Sequence, residues 1–335
     1  MSKLIIPQGY KMPLSNYELQ RAIELVKAQF QSSICSSLNL HRASAPLFVD
    51  GATGLNDDLN GVERAVSFDI PDVGTHGQVV HSLAKWKRLA LKRYEVPMGA
   101  GLYTDMNAIR RDEEVDNLHS VYVDQWDWEK AIDRNDRTME YLKDTVQAIV
   151  DCIWQTARCL RIAFPAITFS PSNAVHYITT QELEDLYPTF TAKEREHAIC
   201  KEYGTVFVMQ IGGLLNSGVK HDGRAPDYDD WTLNGDILMW NPVLEQSFEL
   251  SSMGIRVDET ALDKQLSLAG CDDRRTLPFH SMLLNGDLPQ SMGGGIGQSR
   301  LCMLLLGACH IGEVQASLWD EATHKGCEEA GIVLL

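Results

Sequence analysis

Ten residues near the C-terminus, Ser291-Met-Gly-Gly-Gly-Ile-Gly-Gln-Ser-Arg300, gather four glycines ahead of an arginine. Glycines let a planar ring approach the backbone, and Arg300 at the start of the following helical run could turn its guanidinium toward a phosphate. The run fits neither familiar nucleotide fingerprint. No Lys follows the glycines as in a P-loop, and Gln298 or Arg300 stands where GxGxxG needs its third Gly. Spacing alone leaves two readings open, a glycine floor with a phosphate-facing arginine or a tight turn with a solvated one. A second cation, Arg110, stands in Ile109-Arg-Arg-Asp-Glu-Glu114, where a strand meets a charged loop. It could hold an α-phosphate while Glu113 restrains it or meets an adenine amino group. Taken alone, such a run is more often a solvated loop.

Carboxylates form the other group. If the turn after Asn241 centres on Pro242 and Val243, Asp236 falls opposite Glu249, because paired positions on a hairpin share one sum. Two carboxylates side by side repel unless a cation lies between them, and Mg²⁺ bridging triphosphate oxygens would satisfy both. A register off by one, with one carboxylate pointing outward, is equally open. The loop Arg224-Ala-Pro-Asp-Tyr-Asp-Asp-Trp231 and the turn Asn56-Asp-Asp-Leu59 add acidic groups that could grip an ammonium or merely cap turns. No His pair has HExxH spacing and no local triad signature occurs, so metallohydrolase and serine hydrolase readings have no support. His81 and His119 read as satisfied structural residues.

These groups need a frame. Ser15 with Glu18 forms a capping box, followed by Leu19, Ala22, Ile23, Val26 and Phe30 at helical spacing, so an amphipathic helix opens the fold against a sheet. Ser44 to Val49 and Ala65 to Ile70 read as strands around a Gly- and Asp-rich turn, and His81 to Tyr94 as a helix. Leu102 to Ile109 and Leu118 to Trp128 read as a hairpin about the loop 110–117. A long helix from about Arg137 to Phe164 follows, then helices near Gln181 to Leu186 and Ala192 to Tyr203, and a strand at Val206 to Ile211. Asp236 to Asn241 and Ser247 to Ser252 form a second hairpin, and Gly293 to Gly297 lead into a helical run from Leu301. Hairpins without regular crossovers predict an α+β fold, a mainly antiparallel sheet flanked by helices.

Composition narrows the class. The 335 residues, 44% hydrophobic, suffice for one elaborated domain. The formal charge of −16 makes nucleic acid a poor partner, because a phosphate backbone meets net repulsion. Lys85, Lys87, Arg88, Lys92 and Arg93 cluster at spacings expected of a solvated helix face. Neither the first ten residues nor Leu301 to Cys309 reaches the ~20 apolar residues of a membrane span, so no membrane partner is expected. Eight cysteines without a CxxC pair predict no disulfide framework or zinc site; Cys152, Cys159, Cys302 and Cys309 read as small core residues of a cytoplasmic protein.

Five strings stand in the order and wording of one family: Val80-His-Ser-Leu-Ala-Lys-Trp-Lys-Arg88, His119-Ser-Val-Tyr-Val-Asp-Gln-Trp-Asp-Trp128, Arg224 to Trp231, Phe248-Glu-Leu-Ser-Ser-Met-Gly-Ile-Arg256, and Gly293 to Arg300. From its first helix to its end the chain resembles the bacterial-type asparagine synthetases A, the aspartate–ammonia ligases. That family resembles the catalytic core of aspartyl- and asparaginyl-tRNA synthetases, so the hairpin at Arg110 looks like class II motif 2 and the glycine run ending in Arg300 like motif 3. The resemblance implies a homodimer, a sheet of about eight strands, and bent ATP. It also implies a reaction, L-aspartate, ATP and ammonia giving L-asparagine, AMP and pyrophosphate through a β-aspartyl-adenylate. Arg110 and Arg300 would stabilise phosphate charge, Asp236 and Glu249 would hold Mg²⁺, and Glu113, Ser252, Arg256 and Gly295 would complete the nucleotide site. Asp57, Ser82, Lys87, Gln125, Asp127, Arg224, Asp229 and Ser251 would form the aspartate pocket, with Arg224 or Lys87 on a carboxylate and Asp57 taking a proton from ammonia. Between Trp231 and Asn234 the chain is shorter than longer members of the family, beside the expected site. No anticodon-binding or glutaminase domain is expected within residues 1–335, and Ser2 in place of a cysteine after Met1 points to free ammonia.

Overall fold

The capping box at Ser15 forms as expected: the Ser15 hydroxyl accepts from the Glu18 N–H and the Glu18 carboxylate takes the Ser15 N–H in return. It starts α1 (Asn16–Leu38), whose Leu19, Ala22, Ile23, Val26, Phe30, Ile34 and Leu38 are buried on one stripe. The computed structural model describes residues 4–56 and 63–335. After α1 come β1 (Leu40–Arg42), β2 (Phe48–Asp50), β3 (Ser67–Ile70), β4 (Thr75–Val79), α2 (Ala84–Arg93) and the hairpin β5 (Gly101–Ile109) and β6 (Tyr122–Ala131). Then follow α3 (Met139–Ala163), β7 (His176–Thr179), α4 (Thr180–Leu186), α5 (Ala192–Tyr203), β8 (Thr205–Met209) and a second hairpin, β9 (Asp229–Asn241) and β10 (Gln246–Arg256). The chain closes with α6 (Glu259–Ala269), α7 (Pro278–Leu284), β11 (Ser291–Gly297), α8 (Gln298–Leu306) and α9 (Glu321–Glu329).

Eight strands make the main sheet in the order β1-β5-β6-β11-β10-β9-β8-β7, and β2-β4-β3 form a small separate sheet. The six inner strands are antiparallel throughout, while both outermost pairs, β1 with β5 and β7 with β8, are parallel. The sheet is therefore mixed. Each parallel pair needs a crossover, and α2 and α4–α5 lie in those connections.

Strand alternation divides the residues between two faces. On β6, Trp126 and Trp128 join one core with α1, α3 and α8, and the Phe30 and Trp126 rings lie 4.7 Å apart. The opposite face is covered at one end by α2, packed on Leu102, Met106 and Ala108, and at the other by α4 and α5, packed on Val206, Val208 and Leu238. Between these covers, β6, β11, β10 and β9 present a polar face.

Several expectations need correction. Lys85, Lys87 and Arg88 are buried, not solvated, because the helix carrying them lies against acidic strands and a carbonyl-rich turn; only Lys92 and Arg93 are exposed. The glycine run forms strand β11, which excludes the turn of the two readings left open, and α8 starts at Gln298, earlier than the run expected from Leu301. Leu118 to Val121 remain in the loop because the Asp116 carboxylate accepts the Leu118 and His119 N–H groups. Asp236 does not lie opposite Glu249: the turn spans residues 242–245, so Asn241 pairs with Gln246 and Glu249 with Leu238, and a bulge between Glu249 and Ser251 then sets Ser252 opposite Asp236.

Candidate active site

A cavity of about 410 Å³ opens over the polar face, lined from β6 (Gln125, Asp127), β11 (Gly295, Gly297), β10 (Glu249, Ser252), β9 (Asp236) and the loops around them. Its shape follows from the glycines. None of the β11 glycines has positive φ; their smallness serves close approach. A Cβ on Gly295 would lie 2.3 Å from Gln125 Oε1, and one on Gly293 would lie 2.0 Å from Glu129 Oε2.

At one end stand two arginines. Arg110 leaves β5 where its N–H binds the Val121 carbonyl at 2.9 Å, and its Nη1 lies 4.0 Å from Glu113 Oε2. The Nε atom of Arg110 is buried with no hydrogen-bond partner, so this guanidinium keeps an unused donor. Arg300 lies in the first turn of α8, where Nη1 donates to the Glu249 carbonyl at 3.0 Å and sits 3.9 Å from its carboxylate.

In the middle, Arg224 Nη2 donates to Asp236 Oδ1 at 2.6 Å and Nη1 donates to Ser252 Oγ. The bulge in β10 brings Glu249 and Ser252 to the cavity although they are three residues apart, and it leaves Ser251 off that face; Ser251 is buried and does not line the cavity, contrary to expectation. Burial raises the Asp236 carboxyl to about 6; Arg224 pulls it down, and the nearby Glu249 charge pushes it further up. Burial also pushes Glu249 up, but Arg300, Lys193 and Arg224 outweigh this and hold it below the usual glutamate range. The two carboxylates thus share a field without the expected register.

The other end rests on buried ion pairs. Lys87 Nζ pairs with Asp127 Oδ1 and donates to the carbonyls of Trp128 at 2.9 Å and Gly294 at 3.1 Å. Asp127 Oδ2 is buried without a partner, on a residue that lines the cavity. Arg256 donates to Glu129 at 2.8–3.1 Å and pairs with Asp229, so its guanidinium is engaged by protein carboxylates while its side chain borders the cavity floor. Ser82, Lys87, Gln125, Asp127, Arg224 and Asp229 all line this cavity. Asp57 lies outside the described residues.

Glu129, absent from the sequence expectations, is wholly buried beneath Gly293 and bonded to Arg256 and to Ser291 Oγ at 2.7 Å. A signal existed: Gln125, Asp127 and Glu129 recur at period two, which puts all three on one strand face. Asp227, one of the acidic groups of its loop expected to grip an ammonium or cap a turn, is instead buried; it accepts from Arg274 at 2.9 Å and lies 3.0 Å from His280 Nε2 and 3.7 Å from Lys85. It anchors the loop carrying Arg224 and Asp229, and only packing brings these four groups together.

The chain is 58% identical over 336 aligned positions to the aspartate–ammonia ligase of Clostridium perfringens, covering all of both chains. It is 56% identical to that of Pediococcus pentosaceus, covering 99% of each. Among solved structures it resembles asparaginyl-tRNA synthetase from Pyrococcus horikoshii complexed with asparaginyl-adenylate, with TM-score 0.65 and 14% identity over 91% of this chain and 70% of that one. Aspartyl-tRNA synthetase from Entamoeba histolytica gives TM-score 0.59 and 15% identity over 91% and 58%. These structural likenesses establish a class II synthetase-like fold. With the family profile described as aspartate-ammonia ligase matching residues 17–331 and relatives alike over their full length, the chain belongs to the aspartate–ammonia ligase family.

Proposed function

We propose that this enzyme amidates L-aspartate with ammonia at the expense of ATP, giving L-asparagine, AMP and pyrophosphate. The observation that carries the reading is one cavity with two arginines at one end and a lysine, an arginine and carboxylates at the other, in a chain of this family. A carboxylate is a poor acyl donor, so it must first gain a leaving group. The substrate β-carboxylate oxygen attacks the α-phosphorus and the bond to pyrophosphate breaks. Ammonia then attacks the acyl carbon of the β-aspartyl-adenylate, the bond to AMP breaks, and nitrogen gives up a proton.

Arg110 stabilises charge at the α-phosphorus and Arg300 takes the outer phosphates, with Glu113 and Ser252 completing the nucleotide end; Gly295, packed against Gln125, sits between nucleotide and aspartate, and Arg256, whose guanidinium Glu129 and Asp229 hold, supports the floor beneath both. The free Arg110 Nε supports its role. Ser82, Lys87, Gln125, Asp127, Arg224 and Asp229 are assigned to aspartate. The unpartnered Asp127 Oδ2 suits the substrate α-ammonium. We assign Asp57 to the ammonia proton from the sequence alone.

Asp236 and Glu249 suit Mg²⁺: both are hard oxygen donors on one cavity wall, and a cation there would offset the burial that raises the Asp236 carboxyl and the Glu249 charge that adds to it. When bound, the ion neutralises phosphate charge. We further propose a homodimer acting in the cytoplasm without nucleic acid, in line with the acidic charge. No described helix is long and apolar enough to cross a membrane.

The test is product analysis with aspartate and ATP, with and without ammonium or glutamine. Asparagine and AMP formed with ammonium support the reading; ADP, or transfer of the aspartyl group to tRNA, overturns it. Asp57→Asn should retain adenylation and lose ammonia capture.

A further inference from the structure

We propose that Asp124 is a positioning residue for Arg300, supplying from β6 the N-terminal cap that α8 lacks in its own sequence. The inference rests on the assignment of Arg300 to the ATP phosphates. Strand β11 runs directly into α8, and the boundary residue is Gly297, which makes no side-chain cap bond. The first N–H groups of a helix need acceptors from elsewhere. Asp124 Oδ1 accepts from the Ser299 N–H at 3.0 Å, and Oδ2 accepts from the Ser299 hydroxyl at 2.8 Å.

The same carboxylate is held from two further directions. Gln315 Nε2 donates to Oδ1 at 3.2 Å, and Lys27 Nζ of α1 donates to Oδ2 at 3.1 Å. Asp124 is 7% exposed, and strand alternation turns it away from Gln125 and Asp127 toward α1 and α8, so it borders the cavity from the core side. A negative charge there also complements the helix dipole. Arg300 directly follows Ser299, and its guanidinium is anchored by the Glu249 carbonyl and faces the Glu249 carboxylate. The direction in which its guanidinium leaves the helix is therefore set by the first turn, and the first turn is tied to the sheet through Asp124.

The experiment measures kcat, the separate KM values for ATP and aspartate, and thermal unfolding for full-length Arg300→Ala, Asp124→Ala, Asp124→Asn and Lys27→Met proteins. Loss of a cap shifts a helix equilibrium by about tenfold, so Asp124→Ala should raise the KM for ATP about tenfold and leave that for aspartate within about twofold. Asp124→Asn keeps an oxygen for the Ser299 N–H and should recover most of the difference. Lys27→Met should lower the unfolding temperature without moving the KM for ATP. If Asp124→Ala does not fold, Asp124→Ala with Lys27→Met removes the stranded ammonium, and Asp124→Asn against wild type still reads the ATP-selective effect. Equal changes in both KM values, a loss of stability with no change for ATP, or failure of Asn to rescue overturns the proposal. An unchanged KM for ATP in Arg300→Ala instead refutes the assignment of Arg300 itself.

Discussion

Glu129→Gln removes one charge from the most deeply buried part of the site without opening a hole. Under the cavity floor Glu129 pairs with Arg256 at 2.8 Å and lies 3.9 Å from Lys87, while Asp229 holds the other side of Arg256. The substitution leaves Arg256 with one carboxylate, Asp229, in place of two where water does not reach. Glu129 is 0% exposed, and both its oxygens accept from Arg256. Breaking a buried pair in this way costs about 3–5 kcal/mol. Asp229 still holds the other side of Arg256, so the lower end, about 3 kcal/mol, is expected, a large part of a native stability of about 5–15 kcal/mol. Urea unfolding at pH 8 and fixed protein concentration reads it as a lower midpoint at unchanged slope. Burial pushes the Glu129 carboxyl up, but Arg256, Lys87 and Ser291 hold it below the ordinary glutamate range. A depressed carboxyl contributes stability above its unfolded pKa and loses it as pH falls through the folded value. The gap between wild type and Gln should therefore close in acid. A loss below about 1 kcal/mol at pH 8 would refute the charge-balance argument, since Asp229 alone would then suffice to neutralise Arg256.

Two glycines of β11 should respond differently to alanine. In Gly295→Ala the new Cβ meets the movable end of Gln125, so stability should change by about 1 kcal/mol or less while the KM for aspartate rises; in Gly293→Ala it meets Glu129, Arg256 and the Trp128 carbonyl, and thermal unfolding should show a loss of about 1–3 kcal/mol. Asp236, held at about 6 by burial and the Glu249 charge, takes up a proton as pH falls from 7 to 5, so the KM for magnesium ATP should rise over that window and stay flat in Asp236→Asn. In the unliganded protein the sign is opposite. A raised carboxyl contributes stability below its unfolded pKa that is lost as pH rises through about 6, and unfolding temperatures against pH with and without magnesium ATP separate the two. Arg110→Ala should lower kcat by roughly a hundredfold or more if its free donor serves the transition state; an effect confined to KM in steady-state assays would contradict that role.

Local patterns were legible where one element determines its own form. The Ser15–Glu18 box, the apolar stripe of α1, the two hairpins and the alternation in β6 need only near neighbours, and the sequence determined them. Resemblance in five strings then named the family, which no local rule supplied. What the sequence could not determine depends on packing between distant segments. The bulge in β10 alters which residues face Asp236, and a shift of one residue in a strand exchanges its two faces; Ser251 and Ser252 are adjacent, yet only one reaches the cavity. Lys85, Lys87 and Arg88 read as solvated because the groups they meet lie far along the chain, Asp227 for Lys85, Asp127 and Glu129 for Lys87, and the Pro289 and Val257 carbonyls for Arg88, and burial became tolerable only once tertiary structure brought these together. For the same reason Glu129 and Asp124 acquire roles that their own neighbourhoods do not reveal: each is an ordinary acidic strand residue until Arg256 or the first turn of α8 is placed against it.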